Sequence, residues 1–579
     1  MEKTKGTISV IYKKIKQIIT EKRFKYIYFF IVILSVQFIL GHNLQTLGYT
    51  AKDGMDIVVN ILKIIFLSVI LTTIFYFGEY IIKKSKNYIQ SVRENKKLEN
   101  NNKIQDNKGT KKKFKTTVIM YFFIIILCWM PAFLAFCPAI LNYDGPSQII
   151  AYTVGEGTMT TQQPLISTIM MTAFFQMGIK VLGSSTLGMM CFSLFQMCFM
   201  AGVFAYTTKF IEEKTENKFI TIATLVFYAI FPFNQLFPLM TTKDVMFAGL
   251  TLIFVIGLYK FPEKEFKIKG YIFLSIFAVL MLLFRNNAVY ALVVGTPIMM
   301  FFLINNKKKL IDIVSVFFVI IIMYQLCYQL LIIVTNSVEQ SDKEKLSVIT
   351  QAVARVSKQK KEELTEEEIK SINYYFDDID NLIEIYDTNI SDDTKMSIVI
   401  DRYEENPQGF YKLFIDLAKK YPIICMDSFL DTIRGYWYIF DDSFNQIFHD
   451  MDPKSKGCLE LTFYVVTDGT EENMVRDLNK WPALRDFYKS MFCENNYTKI
   501  PILYVIFQPA IYFYIVLACL LYAIYKKDVK LILPTIYLIL YFLTCFLGPG
   551  AIVRYIYANI VTTPFILALC KKKNKEEAI

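Results

Sequence analysis

Long uninterrupted runs of apolar residues set the strongest limit on what this chain can fold into. Blocks of about 17–25 apolar residues recur along it, and at 1.5 Å per helical residue each can cross about 30 Å of hydrocarbon. Hydrophobic residues make up 54% of the 579 residues, and the mean hydropathy is +0.37. A soluble chain cannot hide so much apolar surface, because domain cores stop growing near ~250–300 residues. The sequence therefore predicts an all-α polytopic membrane protein and excludes soluble, fibrous and disordered chains.

About twelve of these blocks are predicted to span the membrane. They are Phe24–Leu40, Ile57–Ile82, Thr116–Ala139, Thr186–Tyr206, Phe219–Phe233, Val245–Tyr259, Tyr271–Phe284, Ala288–Leu303, Leu310–Ile333, Ile502–Tyr525, Leu531–Leu547 and Ile552–Leu569. Counting Pro164–Leu182 as a thirteenth span would reverse the sides of all later loops. We therefore predict that it is a juxtamembrane or re-entrant helix on the outer face, where irregular backbone at membrane depth often marks a site. Twelve spans place both termini in the cytoplasm, and we expect the plasma membrane as the location.

The distribution of charge supports this topology. Residues Val338–Lys499 include 32 acids and 20 bases, a net charge of −12, whereas the rest of the chain carries +23. Every predicted inner loop is basic, as the positive-inside rule requires, so the overall charge of +11 does not indicate nucleic acid as a partner. The predicted regions are an N-terminal two-span extension (1–82), a basic cytoplasmic linker (83–115), a membrane core (116–337) with its first outer loop (140–184), a mainly helical acidic extracytoplasmic domain (338–499), and a three-span C-terminal region with a cytoplasmic tail (500–579).

Metal and thiol chemistry receive little support from the sequence. The chain has only two histidines, His42 and His449, and no CxxC pair, which excludes a multi-histidine zinc site. The acids between Asp377 and Asp393 do not have the spacing of an EF-hand, so they are predicted to be solvated. A disulfide between Cys458 and Cys493 in the acidic domain remains open.

Polar residues gather at the predicted outer ends of the spans. They are Tyr143-Asp144-Gly145-Pro146, Gln162-Gln163-Pro164, Thr242-Lys243-Asp244, Arg285-Asn286-Asn287 with Tyr290, and Arg554-Tyr555. A single Lys or Arg at a span end is ordinarily an interfacial anchor. Arg285 and Arg554, however, lie in or beside very short hairpins between apolar blocks, where a cation needs an anionic partner. Three cations on one membrane face suit a phosphate or diphosphate, to which Arg offers two parallel donors.

These motifs, in this order, resemble the GT-C superfamily of integral membrane glycosyltransferases, and more narrowly a bacterial membrane family of that type. The resemblance covers about Thr116–Cys570 and includes Tyr421-Pro422 and Gly435-Tyr436-Trp437-Tyr438. Where many such proteins have His-Pro-Pro or Lys-Pro-Pro, this chain has Gln162-Gln163-Pro164. The first two spans lie outside the resemblance.

The resemblance implies a GT-C-like helical bundle and transfer of a sugar from a polyprenyl-phosphate donor to an extracytoplasmic glycan or lipid acceptor, with inversion at the anomeric carbon. Asp144 would be the general base, and Lys243, Arg285 and Arg554 would bind the donor phosphate. The candidates for substrate contacts are Tyr143, Gln163, Asp244, Asn286, Asn287, Tyr290 and Tyr555. No cofactor is expected, although Asp144 with Asp244 or Glu156 leaves Mg²⁺ or Mn²⁺ open.

Two other classes remain open at this stage. A lipid-linked polysaccharide polymerase or ligase also has many spans and a large outer loop, but usually relies on His as well as Arg. A secondary transporter or flippase places its charges near the bilayer midplane and shows matching halves. Here Lys63 is the main midplane charge, and the acidic insertion breaks any repeat. The acidic domain is predicted to be a lid or recognition module, with Tyr421–Phe440 lying along the membrane surface.

Overall fold

The computed structural model describes residues 21–100, 117–141, 144–153, 159–442, 463–464, 474–492 and 494–570, with the backbone alone for 87–100, 144, 150–153, 463–464 and 474. The chain divides into two compact units, Met1–Thr116 and Thr117–Ile579. The predicted Cys458–Cys493 disulfide, Tyr143, Glu156 and the side chain of Asp144 lie outside the described residues.

The first unit is a hairpin of two helices, α1 (Lys22–Leu47) and α2 (Gly54–Asn100). Arg23 at the start of α1 forms a 2.7 Å ion pair with Glu79 of α2. Near the turn, the Nδ2 atom of Asn43 donates to Oδ1 of Asn60 over 3.0 Å. A polar contact at each end of two apolar helices fixes which residues face each other along the hairpin.

The second unit contains a bundle of apolar helices in two runs. The first run is α3 (Val118–Phe136), α4 (Asp144–Thr153), α5 (Leu165–Leu182), α6 (Ser185–Thr215), α7 (Lys218–Ile230), α8 (Pro232–Leu236), α9 (Lys243–Lys260), α10 (Ile268–Phe284), α11 (Ala288–Leu303) and α12 (Lys307–Thr335). After the acidic segment follow α21 (Pro482–Phe492), α22 (Pro501–Phe507), α23 (Pro509–Lys526), α24 (Val529–Thr544) and α25 (Tyr557–Cys570).

The protein is an all-α membrane protein in which, among the described residues, nine helices are long and apolar enough to cross a bilayer. Eight of them coincide with predicted spans, and the ninth is α5. The helices α7 and α8 together make a tenth candidate, bent by 53° where Pro232 interrupts the helical hydrogen bonds. Three other predicted spans fall on α9, α10 and α11, which are helical but short or charged at their ends.

Helix α5 is the segment predicted to be a juxtamembrane or re-entrant helix on the outer face, and its length and composition would also allow it to cross a bilayer. It packs along α6 in a tight hairpin with Gly183 in the left-handed conformation at the turn. A Cβ atom on Gly188 of α6 would overlap the carbonyl oxygen of Phe174, so two small residues, Gly178 and Gly188, allow this close approach. The pairing buries one side of α5 against α6.

Helix α9 lies at the centre of the bundle. All its residues from Asp244 to Tyr259 are buried except Ile253, and it packs against α6, α10, α24 and α25. A helix that is apolar on every side is typical of a fully enclosed position. Its charged residues, Lys243, Asp244 and Lys260, lie at its two ends. The first of these ends is where the candidate site forms.

The acidic segment begins with an insertion domain of short helices (residues 338–442). These are α13 (Ser347–Lys360), α14 (Glu366–Phe376), α15 (Ile379–Ile385), α16 (Asp392–Met396), α17 (Ile400–Glu405), α18 (Pro407–Lys420), α19 (Pro422–Thr432) and α20 (Arg434–Trp437). They enclose a hydrophobic core of their own, with Ile372, Leu382 and Phe410 fully buried. Beyond it, two-residue strands β1 (Phe463–Tyr464) and β2 (Met474–Val475) pair antiparallel.

Tyr436, in the segment predicted to lie along the membrane surface, is buried in the protein instead. Tyr436 has no exposed surface, and its ring stacks on Phe546 with centroids 6.0 Å apart. Its hydroxyl donates to the carbonyl oxygen of Ile552 over 2.8 Å. A backbone partner satisfies the phenol, so the prediction of an interfacial anchor at this position is wrong.

Candidate functional site

The candidate site is built around the first turn of α9. Thr242 caps this helix, and its Oγ1 also donates to Oδ2 of Asp244 over 3.0 Å. The carboxylate of Asp244 is 1% exposed. An acid in the first helical turn is stabilised by the positive end of the helix, and here that position also places the acid inside the protein.

Two arginines from other helices converge on this carboxylate. Arg285, which lies between α10 and α11, donates from Nη1 to Oδ1 of Asp244. Arg554, in the turn before α25, places its Nε 4.0 Å from Oδ2 of the same acid. Arg285 is 6% exposed and Arg554 is 9% exposed. Since buried cations require compensating charge, Asp244 is the anionic partner that the sequence left unidentified.

Aromatic rings and amides hold Arg285 in place. The ring of Tyr555 lies 4.3 Å from the guanidinium carbon, and Phe247 and Tyr541 each lie 5.9 Å away. The Nε of Arg285 donates to Oδ1 of Asn287 over 3.0 Å. Rings that face a guanidinium stabilise its charge in a water-poor site. Tyr555 also lies 5.4 Å from the guanidinium carbon of Arg554, so one ring contacts both cations.

Lys243 extends this group toward the chain that precedes α5. Its Nζ donates to Oε1 of Gln163, a partner 80 residues earlier in the sequence. The amide oxygen positions the ammonium of Lys243 beside the first turn of α9 through this hydrogen bond. Lys243 is half-buried beside the fully buried Asp244.

The backbone at Asp144 lies next to the same end of α9. Ile140 pairs with Met240 as a short parallel bridge, and the amide of Thr241 donates to the carbonyl oxygen of Ile140 over 3.0 Å. A Cβ atom on Gly145 would overlap Thr241, so only glycine permits α4 to begin this close. Asp144, the first residue of α4, is thus beside the residues that cap α9.

Of the remaining residues predicted for the site, some lie near Arg285 and others lie in its surroundings. Asn287 donates to Oγ1 of Thr544 over 3.3 Å, and Asn286 accepts a 3.5 Å hydrogen bond from Tyr324. Tyr290 is 62% exposed, in contrast to the buried Arg285. Tyr541 was missed by the sequence analysis because a tyrosine inside an apolar span carries no distinguishing local pattern.

Metal ligands are not gathered here in the part of the chain that the structure describes. No group of three or more His, Cys, Asp or Glu residues lies close enough to hold an ion among those residues. Asp244, which could have served with Asp144, instead accepts from Arg285. Among the described side chains, Arg285 and Arg554 meet the carboxylate of Asp244 at this end of α9.

The fold and this group define a multi-pass, all-α membrane protein with a buried cationic site where several helices begin. The chain belongs to a family of unknown function, DUF6020, whose sequence profile matches residues 152–578. The match includes Lys243, Arg285 and Arg554 and starts after Asp144. No curated protein and no solved structure matches the chain.

Proposed function

We propose that this protein is a membrane glycosyltransferase of GT-C type that transfers a sugar from a polyprenyl-phosphate donor to an extracytoplasmic glycan or lipid acceptor, with inversion of the anomeric centre. The proposed location is the plasma membrane, with both termini in the cytoplasm and the site at the outer face. The sugar is left open, and the proposed reaction uses no cofactor.

The convergence of buried cations on Asp244 carries the proposal. Arg285 and Arg554 are almost wholly buried at its carboxylate, and Lys243 precedes it in the first turn of α9. Helices α4, α9 and α11 all begin in this region, so the positive ends of their dipoles add to the potential there. Buried cations of this kind favour an anion, and the phosphate of a membrane lipid fits that requirement.

The proposed reaction is a single displacement. The carboxylate of Asp144 takes the proton of the acceptor hydroxyl while that oxygen forms a bond to the anomeric carbon. The bond from the anomeric carbon to the phosphate oxygen breaks, and its electron pair leaves with the lipid phosphate. Lys243, Arg285 and Arg554 stabilise the charge that develops on this phosphate, as fixed donors in a water-poor site do. Asp244 keeps the two arginines in position before the donor binds.

The test measures loss of a polyprenyl-phosphate sugar in membranes that contain the full chain. Asp144→Asn should slow turnover by about 10²–10⁴-fold with donor affinity retained, because it removes only the base. Lys243→Ala and Arg554→Ala should instead weaken donor binding, by about 30-fold for the buried arginine, because cations act in the ground state as well.

Lys260→Ala is the matched control for Lys243→Ala, since Lys260 lies at the opposite end of α9 and contacts the hydroxyl of Tyr206. Its donor affinity should equal that of the unmodified protein. Equal donor affinity in all the variants would place the phosphate elsewhere. Movement of the lipid across the bilayer with no loss of sugar would identify a transporter and refute the transferase.

A further inference from the structure

The insertion domain is hydrogen-bonded to the chain segment that leads into Gln163. The amide of Val338 donates to the carbonyl oxygen of Met159 over 2.8 Å, and the amide of Thr161 donates back to Val338 over 2.9 Å. The amide of Gln340 donates to Oγ1 of Thr161 over 3.0 Å. Most of these contacts are made by backbone atoms, so they fix the path of residues 159–163. This segment ends at Gln163, the partner of Lys243.

The same domain is also hydrogen-bonded to a second loop, residues 548–552, which leads into Arg554. The amide of Ser391 donates to the carbonyl oxygen of Pro549 over 2.8 Å, and its Oγ donates to the same oxygen over 3.2 Å. Ile390 pairs with Gly550 as an antiparallel bridge. The hydroxyl of Tyr436 accepts from the amide of Ile552 over 2.9 Å.

Side chains of α16 and of the turn before α13 connect these two sets of hydrogen bonds. Gln162, next to Gln163, donates to Oε1 of Glu344 over 2.9 Å. The other carboxylate oxygen of Glu344 lies 2.7 Å from Nζ of Lys395, which also lies 2.7 Å from Asp392. Asp392 directly follows Ser391. An unbroken series of contacts therefore runs from the Gln163 segment to the loop before Arg554.

Lys395 is the centre of this series. Its side chain is 6% exposed. Although burial opposes the charge, the contacts with Asp392 and Glu344 hold the pKa of Lys395 above its ordinary value. The ammonium consequently remains charged at neutral pH and satisfies both carboxylates, as a partly buried cation must.

We infer that Lys395 is a positioning residue, which holds the Gln163–Lys243 side and the Arg554–Tyr555 side of the phosphate site at a fixed separation. The inference rests on the proposed function for the identity of the ligand, but the mechanical coupling between the two loops does not. The insertion domain then acts as a support that sets the spacing of the cations, in addition to any role at the acceptor. Loss of Lys395 should loosen the loop that carries Arg554 without removing a group from the site.

The rate at which Cys545 is alkylated measures opening of that loop independently of any sugar-transfer assay. It is 1% exposed, and its sulfur lies 3.7 Å from the carbonyl oxygen of Tyr555. In the full chain in lipid nanodiscs, alkylation of Cys545 by N-ethylmaleimide is followed by peptide mass spectrometry. Lys395→Met should raise this rate about tenfold or more, since 1.4 kcal/mol of easier local opening is a factor of ten. Lys395→Arg should restore the slow rate.

Lys345→Met is the matched control, because it removes a lysine and an ion pair with Asp342 from the turn that contains Glu344. That pair is exposed, and the Cys545 rate should stay unchanged. Glu344→Gln serves as a milder variant that keeps the side-chain volume and should also raise the rate, should Lys395→Met fail to fold. In the transfer assay, Lys395→Met should raise the KM for donor about fivefold or more with kcat nearly unchanged, the pattern of weakened ground-state binding.

Unchanged Cys545 alkylation in folded Lys395→Met and Glu344→Gln would overturn the coupling, whatever the transfer assay gives. Faster alkylation with an unchanged donor KM would refute the positioning role. Faster alkylation in a protein that transfers no sugar at all would leave the coupling standing and remove the proposed function.

Discussion

At the scale of single residues, Asp244 determines the character of the site. It is the carboxylate that Arg285 and Arg554 share, so both buried cations have an anionic partner before any ligand binds. Under the proposed function, the donor phosphate would bind beside this anion or partly replace it as the partner of the arginines. In either case, Asp244 stabilises the two arginines in the empty site and repels the phosphate in the occupied site.

Replacing Asp244 with Asn should test this balance. Two buried arginines would lose their shared carboxylate, and we expect the free energy of unfolding to fall by about 3–5 kcal/mol. Reversible unfolding in mixed micelles measures this value, with Asp244→Glu as the control that retains the charge. An Asp244→Asn protein as stable as the unmodified chain would show that Arg285 has another anionic partner.

Chelation tests whether cations suffice for the leaving phosphate. Because Lys243, Arg285 and Arg554 already supply positive charge, we expect sugar transfer to be unchanged in EDTA and strongly reduced by Asp144→Asn. The measurement is donor consumption at saturating acceptor with and without chelator. Loss of activity in EDTA that added Mn²⁺ restores would require a metal in place of this assignment.

The sequence singled out polar segments that the fold brings together, but it did not show how they contact one another. Lys243, Arg285 and Arg554 stand out because charge is rare beside apolar blocks. The pairing of Asp244 with both arginines depends on how α9, α10 and α25 pack, and no local pattern records it. The same holds for Tyr541, whose contact with Arg285 comes from a helix far along the chain.

At the scale of elements, the α5–α6 hairpin shows how a close helix pair is built in an apolar setting. Apolar surface gains little from leaving lipid for another apolar surface, so close packing through glycine supplies the attraction. Gly178 and Gly188 face each other, and Phe174 packs on Phe192 with ring centroids 5.8 Å apart. This pairing was not predicted, because hydropathy alone does not separate a helix that lies along a membrane from one that packs lengthwise.

A pair of glycine variants within α6 should separate packing from helix propensity. Gly188→Ala forces a methyl group into the backbone of α5, and we expect a loss of about 1–3 kcal/mol in the free energy of unfolding. Gly202→Ala on the same helix meets nothing within 4 Å and should be neutral or stabilising by up to about 1 kcal/mol. Equal effects of the two variants would contradict a tight α5–α6 contact.

At the scale of the whole molecule, charge and hydropathy give the class of the protein correctly, while the number of spans stays open. All twelve predicted blocks fall on helices, yet eight of them and α5 pass as spans by length and composition in the described residues. The difference arises at α7–α11, where a proline break, short length or terminal charges keep the helices below that test. Helix α9 is buried almost entirely by its neighbours, which a scan of one segment at a time does not register.

Reporter fusions test the predicted topology directly. Fusions after Lys97, Lys308 and Lys572 should be cytoplasmic, and one after Glu367 should be outside, because the basic loops stay in the cytoplasm. The paired use of an alkaline phosphatase and a fluorescent protein reporter measures both sides. A cytoplasmic Glu367 would reverse the sides of the insertion domain and the site, as a membrane-crossing α5 also would.

The central position of α9 has a consequence for how the protein is made. Its inner surface packs on residues that are synthesised much later, with Phe254 against Tyr537 and Phe247 against Tyr541 of α24. When α9 leaves the ribosome, these partners do not yet exist. The contacts that enclose its inner surface therefore form only after α24 and α25 have been made. The bundle around α9 is therefore completed late in synthesis, and Asp244 contacts Arg554 only when translation is nearly complete.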